Sequence, residues 1–97
     1  ILRVSAIIQE RISSIWIKPN SLSESLIAKV LINLAPSGEI LNFSLIEPSS
    51  NTSFNESILT AMNKMTFFEE VLSLDRKVFE QNFRNFNLVF KSSGEIE

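Results

Sequence analysis

The sequence predicts an α+β domain of the form α-β-β-α-(short α)-β, a three-stranded antiparallel sheet with helices packed on one face. Three observations carry this. Residues 26–34 alternate: Leu26, Ala28, Val30, Ile32 and Leu34 are apolar, with Lys29 and Asn33 between them. That is the period of a strand with one buried face. The breaker Ala35-Pro36-Ser37-Gly38-Glu39 then leads into a second β-type run at 40–46. Pro36 presets φ and Gly38 accepts φ > 0, so the reversal has a mechanism. Helical periodicity on both sides of this hairpin supplies a cover for its apolar face.

In chain order, Val4, Ile7, Ile8, Ile12, Ile15 and Trp16 recur at i+3 and i+4, opposite Arg3, Gln9, Glu10, Arg11 and Ser13. An amphipathic helix over 3–17 is therefore expected. Pro19 stops it by pushing Lys18 toward extended backbone. Residues 20–24 read as a polar connector. In the second strand Leu41, Phe43 and Leu45 are expected on the buried face, with Asn42 and Ser44 opposite. Ile40 and Ile46 break that alternation and are expected near its ends or under a flanking element. Residues 48–52 are a loop by composition. Ser53 and Glu56 then read as a capping box, each side chain reaching the other's amide. The helix they open carries Phe54, Ile58, Ala61, Met62 and Met65 on one side.

Residues 66–74 read as a loop with a helical turn, whose Phe67, Phe68, Val71 and Leu74 seal the core. Asp75 is expected to cap a short helix over 76–84, with Val78, Phe79 and Phe83 inward. Phe86, Leu88 and Phe90 alternate with Asn87, Val89 and Lys91 as a last strand. Residues 92–97 read as a polar, frayed tail.

With 97 residues the chain is expected to form a single domain over 1–97, enough for a modest core. Its 44% apolar and 21% charged residues set it apart from disordered chains. A net charge of −2, with cations scattered from Arg3 to Lys91, argues against a nucleic-acid binder. No apolar run approaches the ~18 residues of a membrane span. The chain begins at Ile1, so a piece of a longer protein is expected, with any anchor upstream. Histidine and cysteine are both absent. The commonest metal ligands, the usual general base and the best nucleophile are thus missing, and no catalytic residue, metal or cofactor is expected.

Four features invite a functional reading. Glu69, Glu70 and Asp75 form the one acidic cluster that a small hydrolase would use, but adjacent carboxylates in a polar-flanked loop read as solvated surface. Trp16 at a helix end reads as a core anchor rather than a ligand platform. Phe79, Phe83, Phe86 and Phe90 have the single basic residue Arg84 among them in a chain of acidic balance, and read as core rather than a base-stacking sheet. Asn42, Asn51 and Asn55 each begin a glycosylation pattern, which a chain rich in Ser and Asn produces by chance. The last strand is different. A three-stranded sheet has two edges, and unpaired edge backbone invites another strand. The pattern leaves two readings level: an ordinary core strand, or a docking edge for an extended peptide. An edge that pairs with a second copy is a further alternative.

Four motifs then resemble the TolA/TonB C-terminal domain family. Ile12-Ser13-Ser14-Ile15-Trp16-Ile17-Lys18-Pro19 is similar to the Trp-x-x-Pro ending of its first helix. Leu34-Ala35-Pro36-Ser37-Gly38-Glu39-Ile40 is similar to its hairpin signature. Ser49-Ser50-Asn51 with Phe54-Asn55-Glu56-Ser57 and Ala61 resembles the start of its second helix, and Phe79-Glu80, Phe83, Phe86, Leu88 and Phe90 resemble its closing phenylalanine pattern. They run in order over residues 6–91 and lie nearer the TolA branch. The Trp-x-Phe-x-Pro close of TonB-type domains is missing. Asn51 stands where Gly often follows the paired serines, Thr66-Phe67-Phe68-Glu69 replaces a proline-rich stretch, and the disulfide of some relatives is impossible here.

The resemblance implies strand order 2-1-3, with the first strand central and the last at an edge. It implies a monomeric, non-enzymatic periplasmic interaction domain, whose parent is anchored in the inner membrane by an upstream segment. The implied partners are TolB and Pal-type proteins of the Tol-Pal system, and bacteriocin or phage coat segments, captured by strand addition. On this chain the binding edge would be Asn85, Phe86, Asn87, Leu88, Val89, Phe90 and Lys91. Arg84 and Lys91 would be the charge contacts to an acidic partner, with no metal, cofactor or nucleic acid. The alternative is a TonB-like energy transducer that engages outer-membrane receptors.

Overall fold

Strand β1 (Ile27–Leu34) lies between β2 (Ile40–Glu47) and β3 (Asn85–Lys91) and runs antiparallel to both. The computed structural model describes residues 2–19 and 25–97; the expected connector at 20–24 lies outside them. Helices α1 (Leu2–Ile15), α2 (Thr52–Lys64) and α3 (Arg76–Asn82), with a 3₁₀ turn at Glu69–Ser73, complete the predicted order. Ala28, Val30, Ile32 and Leu34 of β1 are fully buried with Leu88 and Phe90 of β3. Lys29 and Asn33 lie on the opposite face, where Lys29 meets Glu47 at 2.8 Å and Asn33 bonds to Asn85. One face is thus covered by helices, as the alternation requires.

The cover is built from i+4 rows. Val4, Ile8, Ile12 and Trp16 are buried, one per turn of α1. The Trp16 amide still donates to the Ile12 carbonyl at 2.9 Å, but Ile17 is 75% exposed, so α1 ends earlier than its apolar run. Trp16 is a core anchor: its ring meets Phe54 and Phe90 edge-on, with centroids 5.8 and 5.2 Å away. Its indole N–H donates to Ser57 Oγ at 3.0 Å, which satisfies the one polar atom the ring buries. In α2, Phe54, Ile58, Ala61 and Met62 form the buried row. Its cap is Asn51, not Ser53: Asn51 Oδ1 accepts from the Phe54 amide at 2.9 Å and the helix begins at Thr52. Asn55 supports that cap by bonding to the Ser49 main chain, which leaves Ser53 inside the first turn.

Two further expectations are corrected. In β2, Leu45 lies opposite Val30 and Glu47 opposite Lys29, while Asn42 lies opposite Asn33 and Ile40 opposite Leu34. Ile46 and Leu41 are each an extra residue, and these bulges break the strict alternation. Ile40, Phe43 and Leu45 therefore pack on the core, while Leu41 is 59% and Ile46 46% exposed. The second correction concerns residues 92–97, which fold back as a hairpin rather than fray. Lys91 N–H donates to Glu95 O at 2.9 Å and Gly94 N–H to Lys91 O at 2.9 Å, with Gly94 at φ +100°. Ile96 lies opposite Phe90 and is only 8% exposed.

The same turn closes the β1–β2 hairpin. Ala35 N–H donates to Glu39 O at 2.9 Å and Gly38 N–H to Ala35 O at 2.8 Å, with Gly38 at φ +92°. Both are three-residue loops that end on a left-handed glycine. Both are also written by one tetrapeptide, Ser-Gly-Glu-Ile, at 37–40 and again at 93–96. Their surroundings differ. A Cβ on Gly38 would lie 2.3 Å from the Phe68 carbonyl oxygen, whereas on Gly94 its nearest neighbour is Lys18 Nζ at 3.6 Å. Gly94→Ala should therefore cost only the left-handed strain, about 1–2 kcal/mol at most in the tail hairpin. Gly38→Ala adds a backbone clash and should cost roughly 3 kcal/mol or more of global stability. Urea denaturation of the two variants checks the contrast.

Candidate partner-binding edge

The outer edge of β3 is set by where alternate amides point. Leu34 N–H donates to Arg84 O, and Val30 and Ile32 lie opposite Leu88 and Phe86, so the even residues of β3 face β1. Asn85, Asn87, Val89 and Lys91 face outward. Val89 and Glu97 exchange both main-chain hydrogen bonds, each at 2.8 Å, and Lys91 bonds to Glu95. The far half of the edge is thus taken by the chain's own tail. Among the described residues, no main-chain group pairs with the outward N–H or C=O of Asn85 or Asn87.

A cavity of about 110 Å³ opens beside this free half, lined by Ser5, Ile8 and Gln9 of α1, Asn82 and Phe83, and residues 86–88. Its apolar floor and polar rim suit one modest side chain of an incoming segment. Ser5 and Gln9 carry no sequence signal for this role, since only the packing of α1 against β3 brings them there.

Both expected charge contacts already hold carboxylates. Arg84 bonds to Glu80 through Nε at 3.1 Å and also through Nη2, and its guanidinium lies 5.7 Å from the Phe79 ring centre. The hydrogen bond to Arg84 holds the Glu80 carboxyl below its ordinary value, and the same bond raises Arg84. Lys91 Nζ lies 2.8 Å from Glu97 and 4.0 Å from Glu95. The acidic cluster is employed elsewhere. Arg11 bonds to both oxygens of Glu70 at 2.8 and 2.9 Å and lies over the Phe68 ring, while Asp75 caps α3 by accepting from the Val78 amide at 2.9 Å.

The opposite edge, on β2, is also partly occupied. Ile40 N–H donates to Thr66 O at 3.0 Å and Phe68 N–H to Gly38 O at 2.7 Å. Past that point a groove of about 800 Å³ runs between β2 and the end of α2, with Leu41, Phe43, Met65 and Phe67 among its walls. The β2 bulges that expose Leu41 cannot be read from a pattern of alternation.

This architecture defines a class. The chain belongs to the TonB C terminal family, whose model matches residues 3–83. Within it, the expected likeness to TolA holds. The chain is similar to the Tol-Pal system protein TolA of Pseudomonas aeruginosa, at 29% identity over 80 residues, 82% of this chain and 23% of that protein. It therefore spans less than a quarter of that relative's length. It is also similar to the solution NMR structure of TolAIII bound to a peptide derived from the N-terminus of TolB. The TM-score there is 0.77 at 27% identity, over 91% of this chain and 70% of that one.

The Lys91–Glu97 bond holds the Glu97 carboxyl below its ordinary 4.5 and the Lys91 ammonium above its ordinary 10.5. Glu97's contribution is complete above 4.5 and is lost as pH falls through the depressed value; Lys91's is complete below 10.5 and is lost as pH rises through the raised one. Tail pairing should therefore hold between those limits and loosen beyond both. Nuclear Overhauser contacts between Phe90 and Ile96, followed across pH, check it.

Proposed function

We propose that this chain is the periplasmic protein–protein interaction domain of a TolA-like cell-envelope protein. It captures extended partner segments by adding their strand to the outer edge of β3, at residues 85–91. One observation carries this reading: unpaired, outward main-chain groups at Asn85 and Asn87 lie beside a cavity sized for a side chain. Main-chain pairing supplies affinity in such docking, and the pocket beside the edge supplies selectivity. No chemistry is asked of the domain.

The peptide in the related TolAIII complex comes from the N-terminus of TolB, which supports a TolB-type partner here. Pal-type proteins and bacteriocin or phage coat segments are partners on the strength of the family resemblance. The parent protein is anchored in the inner membrane by a segment outside this chain. The family description itself favours a second reading, a TonB-like energy transducer that engages outer-membrane receptors. A long Ala/Lys/Glu-rich helix upstream would support the first, a proline-rich spacer the second.

The test is a titration of isotope-labelled domain with a peptide from the N-terminus of a TolB-type protein. Shifts are expected at 85–91 and around Ser5 and Gln9; shifts confined to the β2 groove would overturn the β3 assignment. Asn87→Pro removes an outward donor while sparing the bonds to β1. It should weaken binding by about tenfold, the upper range for one hydrogen bond, with the sheet resonances of β1 unchanged.

A further inference from the structure

We infer that residues 95–97 are a built-in fourth strand that holds the far half of the β3 edge against partners. The displacing segment would then share its chemistry: an acidic, branched-apolar, acidic alternation, antiparallel to β3. This inference rests on the reading of that edge as the docking site.

Residues 95–97 are built as a strand rather than as loose coil. Its turn repeats, residue for residue, the Ser-Gly-Glu-Ile turn that closes the β1–β2 hairpin, with the same two hydrogen bonds and the same left-handed glycine. Ile96 then does at Phe90 what Ile40 does at Leu34: each is the first apolar residue past the turn, packed across from a core residue of the neighbouring strand. Glu95 and Glu97 flank it on the open face and hold Lys91 between them.

It is also the weakest strand of the sheet. β3 is registered to β1 over every residue from Asn85 to Lys91. The tail has three main-chain bonds, at Val89, Glu97 and Lys91, one buried side chain, and ion pairs in solvent. Sparse, exposed contacts mark the segment that opens first. An incoming strand in the same register would replace each bond it breaks, so displacement costs little beyond the burial of Ile96. The tail therefore lowers the apparent affinity by the fraction of time the edge is closed. An acidic residue on either side of the intruder's apolar residue would inherit Lys91 when Glu95 and Glu97 leave.

The experiment uses a fluorescent synthetic peptide with a Glu-Ile-Glu run in an extended context, titrated against three forms of the chain. Gly94→Val puts a β-branched residue at a left-handed φ and should loosen the tail hairpin, tightening binding by about tenfold. The double variant Val89→Cys with Glu97→Cys joins two directly opposed residues, at a spacing a disulfide spans. No other cysteine competes. Its oxidised form should lose binding and reduction should restore it, so the substitutions themselves cancel. A Lys-Ile-Lys peptide should not bind. If oxidised and reduced forms bind alike while shifts stay on 85–91, or if the unaltered chain does not bind the acidic peptide, the inference falls and the docking edge survives. Shifts wholly outside 85–91, with the TolB-type peptide as well, would remove the docking edge and the inference together.

Discussion

Everything in this fold is placed by the lack of any free side on β1. The main-chain groups of its odd residues point to β2, those of its even residues point to β3, and its even side chains are sealed under the helices. A strand with both edges used and one face buried admits one register. A slip by one residue would drive Lys29 and Asn33 into the core. The i+4 rows of α1 and α2 then have a single surface to cover, and Trp16, between Phe54 and Phe90, joins the two helices to the last strand.

A saturated centre moves all remaining pairing capacity to the margins. β2 is bent by bulges at Leu41 and Ile46 and covered at its start by residues 66–68; β3 is covered at its end by residues 95–97. Edge protection of this kind keeps like domains from pairing indiscriminately. The open stretches left, short and each beside a cavity, favour a partner that brings both a backbone and a fitting side chain. On the proposed reading, strand addition is selective for that reason.

The charges follow the same economy. Arg11–Glu70 ties α1 to the 3₁₀ turn, Asp75 caps α3, and Glu80–Arg84 ties the end of α3 to the residue before β3. Apart from the partly buried Arg11–Glu70 pair, these are exposed interactions whose individual contributions are small. Their role is positional. With the acidic cluster at 69–75 committed in this way, Glu70 and Asp75 are structural groups, and interest shifts to Lys91, whose partners belong to the displaceable tail.

Much of this was legible in the chain. Alternation at 26–34 located the central strand, i+4 spacing located both cover helices, and Asp75 and Gly38 marked a cap and a turn, because side-chain period and backbone freedom are local properties. Other features were not. Asn51 rather than Ser53 became the cap, Leu41 faced solvent rather than the core, and a polar tail became a strand around one isoleucine. Each of those outcomes turns on which distant group satisfies a main-chain amide, or on a bulge that resets the register. The second Ser-Gly-Glu-Ile repeats the first, but it specifies only a reversal. Whether the returning segment finds a vacant edge is decided by the sheet it returns to. The sequence by itself determined the elements and their apolar faces, since periodicity needs no partner; the tertiary structure alone decided how much of each edge stays open, since that depends on residues far apart in the chain.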